Sequence, residues 1–257
     1  MRFTLPILLI LIVALSGFWN EWSPWISAHM SSWGLYNIKF LEEFLTGIHG
    51  SIFDLFIVGV IIYWFDKRRE KKDSINKSKE KIEMLRYYRG SDAAFITYDA
   101  LKHFLSFGDN KIDIPESNLS NLKINNLELR DSNLIAINLS ASKIKNIKLV
   151  RCNLEAAQFI DSDFKGTEFE TVNFKRSKFI NAQLKGVDFS TCDIRGVNFS
   201  NANLQSAIFK NVDCSKINLK GTDLRSANFI GAKNLTRGMI LEARNYAYIK
   251  LPSDITI

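Results

Sequence analysis

A five-residue period dominates the second half of this 257-residue chain. Every fifth position from Leu119 to Phe229 is Leu, Ile or Phe in 22 of 23 cases, and the remaining position is Cys214, itself a small apolar residue. Leu, Ile and Phe make up 76 of the 257 residues, so chance would supply about seven such matches. Strands have a period of 2 and helices one of 3.6, so this uninterrupted register predicts a repetitive solenoid instead.

Two further columns accompany these central residues. The position before the centre is Asn or Asp in 14 of 23 repeats. The position before that is small or β-branched in many repeats, as in Ser132, Cys152, Ala157, Ser162, Val172, Ala182, Val187, Ala202, Val212 and Ala227.

Runs such as CNLEA, SDFKG, VDFST, TDLRS and ANFIG resemble the pentapeptide-repeat family over about 115 residues. The motif of that family is a small residue, Asp or Asn, Leu or Phe, and two variable residues. The resemblance implies a mainly β fold, a right-handed quadrilateral β-helix with four pentapeptides per coil. The central and small residues would point inward. The chain end also resembles a helical cap on the last coil, and the segment before the repeat resembles that of membrane-anchored family members.

A square coil of 20 residues stacks at strand spacing, about 4.8 Å, so 23 repeats predict a rod of roughly 27 Å. The centres then form four columns. Two opposite columns carry phenylalanines, including Phe159, Phe179 and Phe199 on one side and Phe169, Phe189 and Phe209 on the other. Each buried centre is worth about 1.5–3 kcal/mol, so this core needs no ligand to explain it.

Catalytic chemistry has few candidates in the repeat. The three histidines, His29, His49 and His103, all precede it, so no histidine-dependent triad or zinc site can be built within it. We interpret Cys152, Cys192 and Cys214 as packing residues in a reducing compartment. The sequence therefore predicts a protein that is not an enzyme, with no catalytic residue, cofactor or metal.

Two apolar stretches, 3–19 and 44–65, lie near the N-terminus, and the basic run DKRREKK follows the second. Basic residues beside a spanning helix mark its cytoplasmic end. The pattern predicts a two-pass anchor in a bacterial inner (cytoplasmic) membrane with the repeat in the cytoplasm. The alternative for residues 3–19 is a signal peptide with a small-residue cleavage site, and the pattern leaves it open.

The predicted membrane interface consists of aromatic and basic side chains, which favour the half-wet boundary of a bilayer. These residues are Trp19, Trp22, Trp25, Trp33, Trp64, Lys67, Arg68 and Arg69. Asp54 is the one formal charge within the second stretch. Ionisable groups in a span are costly and often functional, yet Asp54 could also reach the outer interface.

We therefore predict four regions: a membrane anchor at 1–65, a cytoplasmic helical linker at 66–112, a β-helix at 113–235 and a C-terminal cap at 236–257. On the β-helix, Lys145, Lys165, Lys185 and Arg225 fall in one outward column, and Ile160 and Ile180 in another. We predict both as interaction surfaces. The simpler interpretation of the lysine column is a solvated face that keeps the rod soluble.

These features favour a membrane-anchored scaffold whose rigid rod binds a protein partner or another copy of itself, with the lipid bilayer as a second partner. The alternative is a membrane effector or stress-response protein that uses the rod as a sensor. Some members of the resembled family inhibit topoisomerases by mimicking DNA, which requires a dense negative surface. Residues 113–257 carry a net charge of +5, which disfavours DNA mimicry, and a nucleic-acid partner is also disfavoured.

Overall fold

The computed structural model describes residues 18–30, 38–88 and 90–257, and side chains at a few further positions lie outside that description. The chain divides into two compact units, Met1–Lys71 and Lys72–Ile257. Most of the predicted apolar stretch 3–19, and Trp33, fall outside the described residues.

Two helices form the described part of the first unit. Helix α1 spans Trp19–Met30 and helix α2 spans Ile38–Leu85, the latter continuing into the second unit. No helix in the described part of the chain combines the length and the apolar character needed to cross a membrane, so the predicted transmembrane hairpin is not supported there.

In the second unit, the end of α2 and helix α3, Ser91–Leu105, cover the first coil of the rod. Ile82 of α2 and Leu101 and Phe104 of α3 are buried with Ile112 and Ile114 in one apolar cluster. Ser78 Oγ and His103 Nδ1 lie 2.9 Å apart and tie the two helices together. Gly90 is the N-cap residue of α3, and it makes no side-chain cap hydrogen bond.

Parallel pairing across 20 residues builds the rod. Strands β1 (Lys123–Arg130), β2 (Lys143–Val150), β3 (Asp163–Lys165) and β4 (Glu168–Glu170) form one parallel sheet, in which β2 pairs with the other three. Isolated parallel bridges continue the same spacing, from Asp113–Asn133 to Asp213–Lys233. One coil therefore contains four pentapeptides, and the predicted β-helix of pentapeptide repeats is confirmed.

The central residues form the core. Of the 23 centres, 21 are buried, and Leu139 and Phe169 are partly buried against the same cluster. Phenylalanines one coil apart stack face to face, as in Phe159–Phe179, with ring centroids 4.5 Å apart, and Phe209–Phe229 at 4.6 Å. Rings from opposite walls meet edge to face, as in Phe199–Phe209 at 5.8 Å. This arrangement confirms that phenylalanines fill the rod from both sides.

The Asn and Asp column shapes the turns. In 13 of the 14 such repeats the side-chain Oδ1 accepts a hydrogen bond from the backbone N–H two residues on, as in Asn198 to Ser200 at 3.0 Å. This local bond mimics a backbone turn. The exception, Asp163, lies in strand β3. The residue that follows such a turn commonly has positive φ, as at Asn201 and Gly221, so each side of the coil ends in a corner.

The C-terminal cap is shorter in helix than the resemblance implied. Helix α4 spans Arg237–Leu241, and the Thr236 side chain caps it by accepting from Met239 N–H. The chain then returns to the rod, where Asp223 pairs with Asn245 and Asn228 with Lys250. This last register is 22 residues instead of 20 because the helix takes up extra chain.

Truncating a stacked ring tests this core. Phe189 contacts the rings of five other phenylalanines and is fully buried. We expect Phe189→Ala to lower the free energy of unfolding by about 3–5 kcal/mol, because a large cavity replaces the ring. The control is Phe95→Ala, whose ring is 63% exposed, and chemical denaturation measures both. Equal effects of the two substitutions would contradict the stacked core.

Candidate interaction surface

The apolar cavity inside the rod is too small for a substrate. This cavity of about 40 Å³ is lined only by Leu, Ile and Phe, among them Leu119, Leu129 and Phe159. An apolar space of this size holds no polar group that could bind or activate a substrate. In the described residues, no group of His, Cys, Asp and Glu is arranged to hold a metal ion.

A larger groove of about 550 Å³ lies between the end of α2 and the start of the rod. Its charged side chains have mixed signs and come from Lys79, Glu80, Glu83, Arg86, Asp109, Lys111 and Asp113. Arg86 and Glu83 already form an ion pair with each other. The groove therefore presents neither a uniform charge nor a nucleophile with a base.

The three cysteines are buried and free. Burial raises the pKa of the Cys192 thiol to about 11 and that of Cys214 to about 12, and it also raises the pKa of Cys152. A thiol reacts as its thiolate, so all three groups are poor nucleophiles at neutral pH.

The most distinctive surface is one outward side of the rod, which we call the lysine wall: Lys123, Lys143, Lys145, Lys165 and Lys185. Register pairs Lys123 with Lys143 and Lys145 with Lys165 on neighbouring coils. All five side chains are exposed. The structure thus brings the predicted stack of Lys145, Lys165 and Lys185 together. It adds Lys123 and Lys143, which were not predicted from the sequence.

The lysine wall is distinguished by its concentration of lysines on one side of the rod. Within residues 90–257, none of its five lysines forms an ion pair. Some cations on other sides do, since Lys148 pairs with Glu168 at 3.4 Å, Arg151 with Asp131 at 2.7 Å, and Arg176 with Glu155, whereas in the described residues Lys178, Lys210 and Lys220 also form no ion pair. Unpaired like charges at strand spacing repel one another, so this wall favours an external anion.

Two other predicted surface features are changed by the structure. Arg225 pairs with the nearly buried Asp223 through Nη2, at 2.8 Å, so its charge is neutralised within its own repeat. Ile160 and Ile180 are half-buried and lie on adjacent coils, joined by the hydrogen bond from Asp161 N–H to the Ile180 carbonyl. They form a smaller apolar patch than two fully exposed isoleucines would.

The predicted membrane-interface residues lie on α1 and α2, apart from Trp33. Trp22, Trp25 and Trp64 are exposed, and Trp19 Nε1 donates to Glu42 Oε1 at 3.4 Å. The Arg68 guanidinium lies 5.2 Å from the centre of the Trp64 ring, and Lys67 pairs with Glu70. Arg69 follows on the same helix, and Asp54 is exposed.

A second side of the rod carries an acid-sensitive cluster. Asp193 accepts from Arg195 Nη2 at 2.6 Å and pairs with Lys175 Nζ at 3.2 Å. The hydrogen bond from Arg195, with further help from Lys175, lowers the pKa of Asp193 to about 2.

Acid titration of Asp193→Asn tests this cluster. The folded pKa is depressed, so the ionised carboxylate stabilises the fold above the unfolded pKa near 3.8, and the gain is lost as pH falls towards 2. We expect the variant to be less stable by about 1 kcal/mol at neutral pH. The difference should vanish at the acid end in denaturation curves measured across pH. The control is Asp188→Asn, which breaks no ion pair in the described residues, and a constant difference for Asp193→Asn would contradict the account.

Comparison with known protein families identifies the repeat region. The family model described as "Pentapeptide repeat region" matches residues 152–229. A comparison with curated proteins finds no match.

Among solved structures, the chain is similar to HetL, a pentapeptide repeat protein involved in heterocyst differentiation regulation in Nostoc sp. strain PCC 7120. The identity is 16%, the match covers 59% of this chain and 93% of HetL, and the TM-score is 0.25. A pentapeptide repeat protein from the Arabidopsis thaliana thylakoid lumen matches at 24% identity over 41% of this chain and 66% of its own, with a TM-score of 0.19. Full-length QnrB1, a plasmid-mediated fluoroquinolone resistance protein, matches at 15% identity over 56% and 93%, with a TM-score of 0.25. At these TM-scores the likenesses carry no functional argument.

Proposed function

We propose that this chain, whose residues 152–229 match a pentapeptide repeat region, is a non-enzymatic interaction scaffold attached to a membrane. The observation that carries the proposal is the division of the rod into a filled apolar interior and a regular polar exterior. The interior is filled by apolar side chains, so the outer sides of the rod are the surfaces that a partner can contact.

The walls are suited to that role because their side chains are held in place. Side-chain ladders link coil to coil: Asn133 Nδ2 donates to Asp113 at 2.9 Å, Asn173 to Asn153 at 2.9 Å, and Asn181 to Asp161 at 2.8 Å. A preorganised surface loses little conformational entropy when a partner binds. The half-buried Ile160 and Ile180 offer an apolar contact on such a wall, either to a protein partner or to a second copy.

Attachment to a membrane is supported by the exposed apolar side chains of α2. Leu55, Ile57, Val58, Val60, Ile61, Ile62 and Phe65 are 41–69% exposed, although each prefers an apolar surrounding. The basic residues that follow, including Lys67 and Arg68, favour the anionic cytoplasmic leaflet. We therefore place the protein at the cytoplasmic face of a bacterial inner membrane. The unpaired lysine wall opposes DNA mimicry, which requires negative charge.

Membrane attachment is tested by a charge within the apolar run. We expect Ile61→Asp to move the full chain from the membrane fraction to the soluble fraction, because burying a carboxylate in the apolar part of a bilayer is costly. Met84→Asp is the matched control, since Met84 is an exposed apolar residue beyond the basic run of the same helix. Fractionation with a high-salt wash measures both. Retention of Ile61→Asp in the membrane fraction would contradict attachment through α2.

The scaffold role is tested by affinity purification in mild detergent. We expect Ile160→Glu/Ile180→Glu to lose a specific partner, or self-association, because two carboxylates would be desolvated in the contact. The control is Ile208→Glu/Ile230→Glu, which makes the same change on another wall and should retain the partner. An identical set of bound proteins for the wild type and both variants would discard the isoleucine patch as a contact.

A further inference from the structure

We propose that the lysine wall binds the surface of an anionic lipid bilayer, so that one side of the rod lies on lipid and the other sides face partners. The inference rests on the proposed membrane attachment and adds a second contact to it, made by the rod itself.

First, most of the positive charge on the lysine wall is not neutralised by carboxylates on the same wall. Its outward positions between 123 and 226 include six cations and two carboxylates, Asp163 and Asp223. Asp223 is already paired with Arg225 and lies 3.9 Å from Arg244. The five lysines consequently share one uncommitted carboxylate, Asp163, which forms no ion pair in the described part of the rod.

Second, the lysines form a regular array on a straight surface. Coils stack at strand spacing, about 4.8 Å, so Lys145, Lys165 and Lys185 place three ammonium groups along about 10 Å. Lysine is a point charge on a flexible stem, whereas arginine has a rigid fork that favours one defined carboxylate or phosphate. Flexible point charges in a row suit a plane of many head groups better than a single bidentate ligand.

Third, the wall lacks the residues that other partners need. Its eighteen outward positions between 123 and 226 contain no aromatic side chain and no Leu, Ile, Val or Met. Protein contacts depend on apolar or aromatic anchors, and single-stranded nucleic acids depend on aromatic stacking. An anionic bilayer requires only charge, at about 1 kcal/mol for each Lys near the surface.

The test uses the full chain and vesicles of phosphatidylcholine, with and without phosphatidylglycerol. The apolar run of α2 binds both kinds, so the ratio of the two partition coefficients reports the contribution of charge. That charge comes both from the basic residues that follow this run and from the lysine wall, and the wall variants separate the two. We expect the wild-type ratio to fall steeply as salt is raised. Each lysine contributes about a fivefold preference for the anionic vesicle, so Lys145→Glu/Lys165→Glu/Lys185→Glu should lower the ratio at least about a hundredfold.

The matched control is Lys178→Glu/Lys210→Glu/Lys220→Glu, which changes the net charge equally on other sides of the rod. It should keep most of the wild-type ratio. A third variant, Lys145→Gln/Lys165→Gln/Lys185→Gln, removes charge without adding carboxylates and should fall between the two. Thermal melting followed by circular dichroism checks that all three variants fold, as expected for exposed positions.

Three results would overturn the proposal: an unchanged ratio in the wall variant, an equal loss in both glutamate variants, or loss of an acidic protein partner with the lipid ratio unchanged. Failure of membrane attachment through α2 is a different result. In that case the wild type would not bind phosphatidylcholine vesicles at all, while the difference between the wild type and the wall variant in binding to the anionic vesicles would still report on the lysine wall.

Discussion

The structure depends on backbone hydrogen bonds between repeats one coil apart. Phe159 N–H donates to the Lys178 carbonyl at 2.7 Å, and Lys178 N–H donates to the Ala157 carbonyl at 2.9 Å; the same pair of bonds recurs from coil to coil. Each coil therefore needs the same number of residues as its neighbours. One inserted residue would turn inward side chains outward for the rest of that coil. This constraint explains why the five-residue period is unbroken.

Everything else follows from keeping that register. Corners recur every five residues, and Asn or Asp before the centre stabilises many of them by binding the backbone N–H two residues on. Inside, identical positions stack, so phenylalanines one coil apart lie face to face. The first coils carry Leu and Ile in place of Phe and leave the small cavity of about 40 Å³. Outside, identical positions also stack, so a lysine repeated at one position becomes a wall of charge.

The repeat, its direction of packing and the alignment of Lys145, Lys165 and Lys185 could be predicted because they depend on spacing alone. The ion pairing of individual surface residues, and which further lysines join the wall, could not be predicted from spacing. Arg225 was predicted as part of the interaction surface, but its guanidinium pairs with Asp223 two residues earlier. Lys123 and Lys143 belong to the same wall but come before the centre, where the repeat usually has Asn or Asp. The C-terminal cap differed most from its prediction, because α4 adds residues that do not follow the five-residue period.

Cross-linking across the lysine wall tests the central claim, that residues 20 apart are direct neighbours. Lys145 and Lys165 are paired in register, so cysteines at both positions lie within the distance that a disulfide spans. The native cysteines are buried and their pKa values are raised, so they do not compete. We predict that Lys145→Cys/Lys165→Cys forms an intramolecular disulfide under mild oxidation, and that Lys145→Cys/Lys175→Cys, with its second cysteine on another wall, does not. A disulfide in the second variant but not in the first would contradict the 20-residue coil.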